Sequence, residues 1–119
     1  EEENTQNTLQ DILAAHSDIN GILAVCPETA AAVVKEIAGS NQNIQIVSFN
    51  HTEKTLDYIH NGQMYGSVSL KSFDMGQEAV RAAVSMITEK TVLDRISLGY
   101  EIRTREDLYG AGVANSPIS

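Results

Sequence analysis

The chain has one cysteine, no tryptophan, two prolines and only eight lysines and arginines, against sixteen aspartates and glutamates. Cys26, being alone, excludes an internal disulfide and supplies no zinc cluster, so cysteine usage leaves the redox compartment open. The formal charge of −8 makes a surface that repels phosphate backbones, which argues against direct nucleic-acid contact by this segment. No apolar run approaches the roughly 18 residues that a membrane span needs, and Glu1-Glu2-Glu3 is the reverse of a signal peptide's basic start. The three histidines, His16, His51 and His60, lie far apart without a carboxylate cluster, so no metal site is expected. No cofactor motif is present. A G-x-S-x-G elbow and a G-x-x-x-x-G-K-[ST] loop are both missing, which removes the esterase and P-loop readings. A phosphorylation receiver would need an acidic pair after its first strand and an aspartate ending its third, and neither stands at the matching place.

What is present is a folding sequence. Hydrophobic residues make up 42% of 119, with no low-complexity tract, enough for a single core and at most one domain. Leu9, Ile12, Leu13 and His16 recur at helical spacing, and Thr8 with Asp11 predicts a helix start near Thr8. Gly21 to Val25 is a short continuous apolar run, expected as a parallel strand covered on both faces. Pro27 then suits a first helical position, and Ala30, Val33, Val34 and Ile37 form one stripe that Gly39 ends.

The unit repeats. Ile44 to Val47 reads as a strand, Thr52 as a helix N-cap, Leu56 and Ile59 as a buried helical face, and Gly62 as the stop. In the third unit Met64, Gly66, Val68 and Leu70 alternate with Tyr65, Ser67 and Ser69, predicting a strand nearer an edge. Ser72 is expected to cap a longer helix with Ala79, Val80, Ala83, Met86 and Ile87 in the core. Ile96 to Ile102 alternates again, as a half-exposed strand. Three strand-helix repeats predict a three-layer α/β fold, a mostly parallel sheet with helices on both faces. Residues 1–108 are expected to form this lobe and 109–119 a loosely attached tail.

In such a sheet the loops beyond the strands' carboxyl ends share one edge, where small ligands bind. Cys26, Asn50, His51 and Leu70 fall there. Cys26 precedes a helix start, which suits a reactive thiol, a buried thiol in a tight turn, or a pocket lining. Asn50 offers donors and acceptors to a ligand, or shapes a turn; His51 adds a proton-dependent contact, or faces solvent. Leu70 and Lys71 close the third strand, with the lysine able to meet an anion or a neighbouring carboxylate.

From Leu9 to Ile87, roughly two thirds of the chain, the order of motifs resembles the C-terminal lobe of periplasmic sugar-binding proteins and lac-repressor-type effector domains. The residues that carry it are Leu13 to Ala24, ending in a "gI.a" pattern; Ile46-Val47-Ser48-Phe49-Asn50, similar to "vvGfD"; Ile59-His60-Asn61-Gly62-Gln63, similar to "i..G.i"; and Met75-Gly76 opening a long helix. Glu101 to Leu108 is similar to the "vt.en" ending of such lobes. The resemblance begins after what would be the lobe's first strand and leaves the N-terminal lobe unmatched. It implies a non-enzymatic lobe that forms one wall of an interlobe cleft for a sugar or related metabolite, lined by Cys26, Asn50, His51 and Leu70. By position, Cys26 replaces an asparagine, Pro27 and Asn50 replace aspartates, and Leu70 replaces a glutamine, so hydrogen-bonding capacity is reduced. Partners implied are a membrane transporter, a sensor kinase or a DNA-binding domain, with extracytoplasmic location favoured over cytoplasmic. The alternative is an interaction module that has lost its ligand and pairs with a second copy through a bare edge strand.

Overall fold

A computed structural model describes residues 2–109, as α1 (Glu2–Ala15), β1 (Gly21–Ala24), α2 (Pro27–Ala38), β2 (Gln45–Phe49), α3 (Glu53–His60), β3 (Gly66–Leu70), α4 (Ser72–Thr88), β4 (Tyr100–Thr104) and α5 (Arg105–Tyr109). The tail expected at the end lies, from residue 110 onward, outside the described residues. The architecture is the expected α/β plan, with one four-stranded sheet in the order β1-β2-β3-β4. β1 pairs with β2 and β2 with β3, both in parallel. Two units divide the described residues, 2–69 with 102–109, and 70–101.

The local signals explain most element boundaries. Pro27 stands in the first turn of α2, where its missing N–H costs nothing. Gly62 adopts φ 75° just past α3, a left-handed conformation that glycine enters without a Cβ penalty. α1 starts at Glu2, not near Thr8, because Thr8 lies inside the helix and its hydroxyl donates back to the Asn4 carbonyl at 2.8 Å. That back-bond is the competing use of a threonine hydroxyl.

In the first unit the core gathers Leu9, Ala30, Val33, Val34 and Ile59 from the helices against Ala24 and Ile46 of the sheet. Side chains alternate along strands, so Ile22, Ala24, Ile46 and Ser48 share the face that meets these helices. Leu23 and Val25 have the opposite phase and are 67% and 71% exposed. The continuous apolar run of β1 is therefore covered on one side, not on both.

β3 follows its sequence pattern only in part. It lies one strand in from the edge strand β4, and both phases are buried at its start, Gly66 and then Ser67 beside Ser48, while Leu70 is exposed. Gly66 lets β3 run close to β4: a Cβ there would meet the Arg103 carbonyl oxygen at 2.9 Å. At the end of β4, the hydroxyl and N–H of Thr104 both donate to Asp107 Oδ2 at 2.8 Å. These bonds hold the Asp107 carboxyl below the usual carboxylate range.

In the second unit no residue of α4 is buried, although Val80, Met86 and Ile87 were expected in a core. Lys71, with no side-chain cap bond, occupies the N-cap position expected for Ser72. Residues 91–99 form no strand, and only Tyr100 onward joins the sheet. Alternation by itself supplies no ladder partner, and a strand needs one.

Candidate ligand-binding site

The parallel register puts two loops on one edge. Ala24 of β1 pairs with Ser48 of β2, and Cys26 and Asn50 each follow two residues later. The loops that carry them thus leave the same carboxyl edge, as expected for a ligand-binding rim.

Cys26 is extended at φ −146°, ψ 157°, and is the N-cap residue of α2. Its carbonyl accepts the Ala30 N–H at 3.0 Å. Sγ lies 3.0 Å from Thr29 Oγ1, so the half-buried thiol is engaged by a hydroxyl one turn into the helix. It also lines a groove of about 950 Å³ beside α1, with Ile12, Ile22, Thr29 and Lys54 among the walls.

Asn50 adopts φ 63°, which asparagine tolerates better than β-branched or bulky residues. Its N–H donates to the Val68 carbonyl at 2.6 Å, so the backbone turns out of the sheet on a last rung to β3. Turn shaping is thus seen directly, and the exposed side chain stands at the rim. His51 follows, half-buried with Nδ1 turned inward.

Thr52 then starts α3 through a reciprocal box, accepting the Thr55 N–H at 3.3 Å while its own N–H donates to Thr55 Oγ1 at 2.7 Å. Thr52→Ala should lower stability by about 1 kcal/mol in urea titration. An unchanged midpoint would show that the box does not anchor this loop.

Leu70 ends β3, 43% exposed, and belongs to the second unit. Cys26, Asn50 and His51 are therefore brought to one edge of the first unit, whereas Leu70 is part of the second. Sequence reasoning missed Thr29, whose i+3 spacing from Cys26 was the available signal, and the buried Ser48 and Ser67, which no local pattern marks. Among the described residues, no three or more histidines, cysteines, aspartates and glutamates converge to hold a metal ion. No described helix is long and apolar enough to cross a membrane.

The family model of the periplasmic binding protein domain matches residues 1–91. The chain belongs to the periplasmic binding protein domain family. Among curated proteins, no sequence relative matches it. Solved structures similar to this periplasmic binding protein domain include GanP, a glucose-galactose binding protein from Geobacillus stearothermophilus, at 21% identity and TM-score 0.80 over 91% of this chain and 39% of that one. An ABC transporter solute binding protein from Agrobacterium vitis, bound with alpha-D-tagatopyranose, aligns at 17% identity and TM-score 0.81 over 96% of this chain and 39% of that one. A Caulobacter myo-inositol binding protein aligns at 20% identity and TM-score 0.76 over 92% and 38%. At such identity the likeness is one of fold. The periplasmic binding protein domain described here spans about two-fifths of the length of these structures.

Proposed function

We propose that this domain forms one wall of a cleft that captures a small solute of the sugar class without catalysing a reaction. The whole protein would act outside the cytoplasm and deliver its solute, or report it, to a membrane transporter or sensor kinase. The observation that carries the reading is the shared carboxyl edge, where Cys26 and Asn50 follow paired positions of two parallel strands in a chain of this family. Similar folds are known from proteins whose ligands are sugars and a cyclitol.

The chemistry at this edge is uneven. A thiol is a weak hydrogen-bond donor, and Sγ of Cys26 is already engaged with Thr29. Pairing of solute hydroxyls falls chiefly on the Asn50 amide, with His51 beside it. Because Asn50 also holds φ 63°, Asn50→Gly removes the amide while keeping the backbone, whereas Asn50→Ala adds strain.

The test is calorimetric titration of the whole protein with D-glucose, D-galactose, D-arabinose, D-allose and myo-inositol. We expect saturable binding of at least one, and Asn50→Gly to weaken it by about tenfold, or roughly 1.4 kcal/mol. Absence of saturable binding across the panel would count against a sugar-class solute. Full retention of affinity in Asn50→Gly would remove Asn50 from the site.

A further inference from the structure

We infer that Ser48 and Ser67 are a positioning pair for the proposed rim, setting which residues of the β2 loop stand at the ligand edge. The two serines are direct register partners on adjacent parallel strands. They are 0% and 1% exposed, and Ser48 Oγ donates to Ser67 Oγ at 3.0 Å. On its other side Ser48 faces Ala24, a buried methyl that offers no hydrogen bond. Each hydroxyl therefore has its cross-strand partner in the other.

Such a pair nets little stability, because both hydroxyls give up water to meet, and an apolar pair of the same shape does nearly as well. Its effect is on register. The paired positions of β2 and β3 are only Val47 with Gly66, Ser48 with Ser67 and Phe49 with Val68. A slip of one residue would turn Ser67 away from the core and leave Ser48 buried without a hydroxyl partner, which is strongly disfavoured. The rung above this row is the Asn50 N–H on the Val68 carbonyl, so a fixed Ser48–Ser67 row also fixes where Asn50 leaves the sheet. The part of the inference that concerns affinity rests on the proposed ligand reading; the part that concerns Asn50's backbone does not.

The experiment uses the whole protein and a Ser48→Ala/Ser67→Ala double variant, with Ser67→Cys as a second variant that keeps a weak donor on a somewhat larger side chain. Three quantities are read: thermal midpoint, hydrogen exchange at the Asn50 and His51 amides against the Ile46 amide, and affinity for whichever sugar of the panel binds. A positioning role predicts tenfold faster exchange at Asn50 with Ile46 unchanged, fivefold weaker sugar binding, and a thermal midpoint close to wild type. Ser67→Cys should fall between. Exchange at Asn50 that stays at the wild-type rate in the double variant overturns the inference. So does a lowered midpoint with exchange rising equally at Asn50 and Ile46, since that is a merely structural loss. If the wild type binds none of the sugars the proposed function fails, and the exchange comparison still decides the positioning role.

Discussion

Ile46→Ala is expected to destabilise the protein by about 3 kcal/mol, within the range of large-to-small changes at fully buried sites. Ile46 is 1% exposed and lies in the core cluster with Ala30, Val33 and Ile59. Several of its neighbours are alanines and valines, side chains too short to move into the space that would be left. The penalty therefore combines lost transfer energy with a cavity that does not collapse. Val47, the next residue, has the opposite phase on β2 and is half-buried, so Val47→Ala should cost about 1 kcal/mol. Chemical denaturation of both variants checks the contrast. Equal losses would mean that the helices do not cover the Ile46 face of the sheet.

Gly66→Val is expected to be of similar size, and Gly66→Ala to lower stability by about 2 kcal/mol. Two effects compete. An alanine restricts the unfolded chain, which favours the native state by about 0.4–1 kcal/mol. Against that, its Cβ would stand 2.9 Å from the Arg103 carbonyl oxygen and 3.4 Å from Thr104 Cγ2. The nearer atom belongs to the backbone of β4 and cannot swing aside as a flexible side chain could, so the steric cost, about 1–3 kcal/mol or more for overpacking, wins. A Gly66→Ala protein as stable as wild type would show that β3 and β4 lie further apart than described.

Much of the plan was readable because the signals are local. Pro27, Thr52 and Gly62 act through a missing N–H, a side-chain cap and a left-handed turn, each decided within a few residues. Repetition of strand and helix in short spacing then leaves few topologies besides a parallel sheet. Cys26, Asn50 and His51 could be assigned to one edge by the same reasoning, since parallel strands all end on the same side. Thr8 shows where such signals mislead. A hydroxyl that can cap a helix can also bond back to the preceding turn, and here it does.

The order of strands and helices, the boundaries set by Pro27, Thr52 and Gly62, and the delivery of the β1 and β2 loops to one edge were determined by the sequence itself, because each depends on neighbours along the chain. Tertiary structure alone decided which face of each strand is covered. It buried Ser67 and left Leu23 in solvent, against their ordinary preferences, because the phase of a strand is set by the partner it pairs with. The same holds for the Ser48–Ser67 bond, nineteen residues apart in sequence, and for Asn50's place on the Val68 carbonyl. Contacts between distant residues carry no periodic mark, and only the folded register brings them into being.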